Sequence, residues 1–192
     1  MGKTTVSDYL RDRHQLPVLD ADIYARDAVS VGSPILNKIG DRYGAEMFQL
    51  DGQLNRQRLG NLIFENEAER RWLEQQIHPW VQQRMIEDLE ALATEDKNAV
   101  LAVPLLFEAD MTDLATEIWV VSCTAEQQLE RLTHREAQRL GGSVETVNMD
   151  HLKSRIASQW PIDAKIAQAD VHLDNSQGRA FLFGQIDRAI AH

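Results

Sequence analysis

Met1-Gly2-Lys3-Thr4-Thr5 opens the chain and holds the back half of a phosphate-binding loop. The full pattern is a strand, then G-x-x-x-x-G-K-[ST], then a helix. Gly2, Lys3 and Thr4 supply its last glycine, its lysine and its hydroxyl, and Val6, Tyr9 and Leu10 follow at the spacing of a buried helix face. The chemistry asks for these residue types. A phosphate chain needs backbone N–H groups aimed at its oxygens, a positive charge beside them and a hydroxyl for a divalent cation. Gly2 would let the backbone come close, Lys3 would bring the charge and Thr4 would meet the metal. A helix starting at Thr4 or Thr5 would add its dipole and its free N–H groups. The same tripeptide also arises by chance at an ordinary N-terminus, so the rest of the chain must decide.

Working outward, four apolar runs predict buried strands: Leu16 to Leu19, Ala99 to Phe107, Ile118 to Cys123 and Val171 to Leu173. Helical pattern separates each from the next, which calls for crossover connections and a parallel sheet. Ala99 to Val103 and Ile118 to Val121 are apolar throughout, as strands covered on both faces require. Residues 33–94 read differently, as an almost wholly helical block inserted between the first two strands. In it Asp51-Gly52 marks a turn and Asn55 a helix cap. Glu67 to Ala93 is one long amphipathic stretch, with a kink or a new helix start expected at His78-Pro79. Further helices are expected at 125–139, 149–159 and 178–191, with Gly141-Gly142-Ser143 as a flexible joint after the first.

Composition limits the function. The 192 residues suffice for one well-buried core, and 43% hydrophobic with 26% charged residues is ordinary for a globular protein. A net charge of −10 argues against a broad nucleic-acid surface while leaving room for a local phosphate pocket. Cys123, the single cysteine, excludes an intrachain disulfide and fits a reducing cytoplasm. No apolar run approaches the roughly 20 residues of a membrane span.

Several residues could carry chemistry, each with a plainer alternative. Asp20-Ala21-Asp22 closes the first strand, where open parallel sheets bind ligands. In an extended chain both carboxylates would point the same way, one capping a helix and the other taking a proton from a hydroxyl. Both could equally be caps. Arg131, Arg135 and Arg139 share one helix face, and Arg155 follows in the next helix. They suit a lid that closes over phosphates, or a solvated face paired with Glu126, Glu130 and Glu136. Glu108, at the end of Pro104-Leu105-Leu106-Phe107-Glu108, could touch substrate or cap a turn. His78 reads as a packed histidine rather than a catalytic one, with no second histidine at metal spacing. Asp174-Asn175-Ser176 is a turn that becomes functional beside a base or ribose.

In order along the chain, these pieces resemble the bacterial dephospho-coenzyme A kinase family. The likeness rests on Gly2-Lys3-Thr4-Thr5-Val6, Leu19-Asp20-Ala21-Asp22 with Ala25-Arg26, Gly32-Ser33-Pro34, Asp51-Gly52-Gln53-Leu54-Asn55-Arg56 and His78-Pro79. It continues through Val103 to Glu108, Gln127 to Leu132, Arg155 to Gln159 and Asp174-Asn175. The resemblance implies a P-loop nucleoside-triphosphate hydrolase-like fold, a three-layer α/β sandwich with a parallel sheet, a helical substrate-binding insertion and a lid. It places one kinase domain over residues 1–192, with 1–32 and 95–192 as core, 33–94 as coenzyme A-binding insertion and 125–160 as lid. The implied reaction moves a phosphoryl group from ATP to the ribose 3′-hydroxyl of dephospho-coenzyme A.

The implied roles follow the matching positions. Asp22 is the base, with Lys3 and Arg131 beside the transferring group. Gly2, Lys3, Thr4, Thr5, Arg135, Arg155 and Asn175 hold the nucleotide, and Thr4 meets Mg2+. Asp20, Asp22, Arg56, His78, Leu106 and Glu108 line the acceptor side. The implied partners are ATP and dephospho-coenzyme A, with neither nucleic acid nor membrane, in a cytoplasmic monomer or weak homo-oligomer. Two departures from the family pattern set further expectations. The strand and opening glycines ahead of Gly2 are not in this sequence, which predicts unpaired strand edges, too few loop N–H donors and a start at an internal methionine. The Glu136 to Asp150 connection is also longer and richer in glycine than the family's lid connection. Another small-molecule P-loop kinase, or a non-catalytic remnant binding dephospho-coenzyme A, are the alternative readings.

Overall fold

The computed structural model describes residues 1–191. Along the chain run α1 (Lys3–His14), β1 (Val18–Asp20), α2 (Ala21–Asp27), α3 (Pro34–Tyr43), α4 (Arg56–Glu65), α5 (Glu67–Ala93) and β2 (Val100–Ala102). Then come β3 (Trp119–Ser122), α6 (Ala125–Leu140), α7 (Met149–Ala157), α8 (Ile162–Ile166), β4 (Val171–Asp174) and α9 (Arg179–Ile190). Contacts divide these into two compact units, Val18–Pro104 and Met1–Pro17 with Leu105–His192.

In the first unit β1 and β2 pair in parallel, Val18 opposite Val100 and Asp20 opposite Ala102. The long connection between them is the predicted helical block, and its helices begin where the sequence supplies caps. The Ser33 hydroxyl accepts from Leu36 N–H ahead of Pro34, and Asn55 accepts from Arg58 N–H. Asp51 and Gly52 make the expected turn, with the Asp51 carboxylate accepting from Gln53 N–H. Ile35, Leu36, Ile39, Met47, Leu54, Leu59 and Leu73 form the core, with Trp72 and Trp80 packed against it.

In the second unit β3 and β4 pair in parallel, Trp119 opposite Val171 and Ser122 opposite Asp174. Val6 and Leu10 of α1 are buried, as are Leu182 and Ile186 of α9. Tyr9 stacks on Phe183 with ring centroids 3.9 Å apart. A capping box starts α6, Thr124 and Gln127 exchanging bonds, and Gly141 ends it in the left-handed region at φ 64° with its N–H on Ala137. The Gly141-Gly142 joint is thus a helix stop by its own geometry. Ala137, Val147 and Leu152 then pack α6 against α7.

Four expectations need correction. The strands form two parallel pairs rather than one continuous sheet. The second strand ends at Ala102 instead of Phe107, because Pro104 has no N–H for a ladder and residues 104–110 turn. Of the kink or new helix start expected at His78-Pro79, the new start does not occur, since α5 is one helix through Pro79. Proline removes one hydrogen bond, yet Pro79 faces solvent while Leu73, Val81 and Met85 bury one side of the helix and hold it together. Finally, α8 was not foreseen; five residues are too few for a periodic signal.

Candidate active site

Gly2, Lys3 and Thr4, read from the sequence as part of a phosphate loop, stand at the start of α1. The helix begins at Lys3, and Gly2 precedes it in a left-handed conformation with φ 113°. A side chain there would be strained by that angle and would also collide. A Cβ on Gly2 would lie 2.1 Å from Asn175 Nδ2. Asn175 is buried and donates through Nδ2 to the Met1 carbonyl at 2.9 Å. Its own carbonyl accepts from Arg131 Nη2 at 3.2 Å. The turn is set by Asp174, whose carboxylate takes Ser176 N–H at 2.8 Å and is held below its usual range by the hydrogen bonds to Ser176. Asn175 thus links the glycine of the loop to the first arginine of α6.

Lys3 is half-buried, Thr5 likewise, and Thr4 is exposed. The three arginines predicted to share one face part company. Arg131 goes to Asn175, whereas Arg139 pairs with Glu136 at 2.5 Å, the solvated-face alternative. Arg139 chiefly holds the Glu136 carboxyl below its usual range, and Arg155 and His151 add to this. Burial lowers the Met1 amino group, Cys123 opposes this, and Arg131 and Arg135 lower it further.

In the other unit, Asp20 ends β1 and caps α2, its carboxylate accepting from Asp22 N–H at 2.9 Å. Asp22 sits in the first helical turn, exposed, and not in extended chain, which corrects the argument that both side chains point one way. Arg56 donates to the Arg26 carbonyl at 3.2 Å, at the far end of α2. Tyr24 bonds to Asp88 of α5, so α2 is tied down along its length. Burial pushes the Tyr24 hydroxyl up, and Asp88 reinforces the shift. His78 lies half-buried within α5.

Leu106 and Glu108 lie in the turns after β2. The Leu106 carbonyl accepts from Met111 N–H at 3.0 Å. Glu108 Oε1 takes Lys165 Nζ at 2.7 Å and Trp160 N–H at 2.9 Å. Lys165, Trp160, Tyr24 and Asp88 were missed from the sequence, since each acts through a distant partner that no local pattern reveals. Among the described residues, no three His, Cys, Asp or Glu side chains gather as a metal site, and no helix is long and apolar enough to cross a membrane. The donor set fits a phosphate chain with one hard cation: a lysine, a threonine hydroxyl and a helix start beside a glycine that must be a glycine.

The dephospho-CoA kinase family model matches residues 1–180. The chain belongs to the dephospho-CoA kinase family. It is 52% identical over 189 residues to the dephospho-CoA kinase of Synechococcus elongatus, covering 98% of this chain and 86% of that one. With the dephospho-CoA kinase of Trichormus variabilis it shares 49% over 190 residues, 98% of this chain and 91% of the other. A solved dephospho-CoA kinase from Campylobacter jejuni, 22% identical, superposes with a TM-score of 0.71 over 99% of this chain and 90% of its own. A Thermus thermophilus crystal structure, 26% identical, gives 0.73 with the same coverage. The family has the P-loop nucleoside-triphosphate hydrolase fold, and this member is a kinase whose phosphoryl donor is ATP.

Proposed function

We infer that this kinase phosphorylates the ribose 3′-hydroxyl of dephospho-coenzyme A, giving coenzyme A and ADP. The observation that carries this is a family match running through almost the entire chain at about half identity. Bound ATP with Mg2+ supplies an activated phosphoryl group whose charge the cation partly neutralises. Lys3 would place a point charge against the phosphates, and Thr4 would offer its hydroxyl to the cation. Gly2 and Thr5 would contribute close backbone, and Asn175 packed against Gly2 bars any side chain at that position. Arg131, Arg135 and Arg155 would spread positive charge over the equatorial oxygens, and Asn175 would border the nucleotide.

On the acceptor side Asp22, at the surface of α2, would take the hydroxyl proton, with Asp20 fixing the turn that presents it. Arg56, His78 and Leu106 would contact the rest of the acceptor. Residues 33–94 would act as the acceptor-binding insertion and 125–160 as the lid, in a cytoplasmic protein that is a monomer or a weak homo-oligomer. Positioning and charge account for the rate, with no covalent enzyme intermediate. The test is ADP release measured with dephospho-coenzyme A and with a panel of nucleoside monophosphates. Turnover is expected with dephospho-coenzyme A; faster turnover with a nucleoside monophosphate would overturn the reading.

A further inference from the structure

Glu108 and Lys165 form a near-buried ion pair, their side chains 16% and 9% exposed. Glu108 Oε1 accepts both the Lys165 ammonium and the Trp160 N–H, whereas Oε2 is buried with no hydrogen-bond partner. The neighbouring rings of Phe107 and Trp160 stack at 6.0 Å and 17°. Three separate contacts therefore pin the stretch between α7 and β4 to the turns after β2. Attraction within such a pair is often cancelled by the cost of removing both charges from water, so its use here lies in geometry rather than in net stability.

We propose that Glu108 and Lys165 are positioning residues that fix the C-terminal root of the 125–160 segment, so that its arginines reach the nucleotide from a set pivot. This rests on the reading of 125–160 as a lid. Trp160 closes that segment three residues beyond the end of α7, and its backbone N–H is held, so the pivot lies at the segment's end. The role needs both partners, and neither touches the reacting atoms.

The experiment compares the native chain with Glu108→Gln, Lys165→Met and the double variant. In the native chain, Mg2+ with a non-hydrolysable ATP analogue is expected to protect Arg139, Lys153 and Arg155 from trypsin. Absence of that protection removes the lid reading and the proposal with it. With protection present in the native chain, the variants should lose it and should raise KM for ATP about tenfold, each alone as much as both together. KM for dephospho-coenzyme A should stay within about twofold. Native-like protection in both single variants overturns the proposal and leaves the lid standing. A raised KM for dephospho-coenzyme A in Glu108→Gln, with Lys165→Met unaffected, also overturns it and makes Glu108 a substrate ligand. Should Lys165→Met melt too low for assay, the near-isosteric Glu108→Gln carries both readouts.

Discussion

Asp22 and Glu108 look alike in sequence, each an acid just past an apolar strand, yet they finish in opposite surroundings. A helix begins at once after β1, so Asp22 stays in its exposed first turn with its N–H on Asp20. After β2, Pro104 stops the ladder and the turns carry Glu108 inward to Lys165. The difference teaches that the segment after a strand decides what an acid can do. One that is kept at the surface can exchange protons and meet substrate, whereas one drawn inside an ion pair becomes a strut.

The largest effect that would break this contrast is on turnover. Asp22→Asn is expected to lower kcat by about 10²- to 10⁴-fold with ATP affinity nearly unchanged, read by ADP release and calorimetry. Near-native turnover would take the proton from Asp22 and erase its distinction from Glu108. Next in size, Lys165→Met strands a buried carboxylate and should cost about 3 kcal/mol in urea unfolding. Pairing it with Glu108→Gln should restore much of that. A double variant no more stable than Lys165→Met would mean that lost packing, not charge, is at work.

A smaller effect is expected in acid. Burial pushes the Glu108 carboxyl up, but Lys165 and the Trp160 N–H more than offset this, so its folded pKa lies below the usual value. A depressed carboxylate stabilises the fold above its unfolded pKa, about 4.3, and loses that contribution as pH falls through the lower folded value. Melting temperatures between about pH 5 and 3 should therefore fall less steeply in Glu108→Gln than in the native chain. Equal slopes would place the pair outside the acid response. The smallest change sharpens the contrast from the exposed side. Arg139→Ala removes the solvent-facing arginine of the pair with Glu136 and should shift stability by no more than about 0.5 kcal/mol. A larger loss would mean that exposure does not grade these ion pairs.

What could be read ahead of the structure was local. Asn55, Ser33 and Gly141 marked helix ends because caps and stops use their own backbone neighbourhood. The four strands were legible as apolar runs, although Pro104 shortened one of them. Spacing also marked Gly2-Lys3-Thr4, the Asp20-Asp22 pair and the arginine row as candidates. Spacing could not divide that row between Asn175 and Glu136, because the partners of Arg131 lie across the fold. The Glu108–Lys165 pair left no trace for the same reason: Glu108 lies in turns and Lys165 in the five-residue helix α8, and only the turns after Pro104 bring them together. Asn175 could be seen as a turn residue, but its packing against Gly2 depends on a contact between chain segments that pattern does not encode.

Helix α5 has a mechanical consequence. At 27 residues it is a beam about 40 Å long, and Pro79 deprives the Gln75 carbonyl of its partner one turn later. With that bond absent, the helix is less stiff there than one with a full ladder. Its far half carries Asp88, which grips Tyr24 and so the short helix presenting Asp22. Any give at Pro79 would be passed through Asp88 to α2, so an unremarkable proline would bear on how firmly Asp22 is aimed.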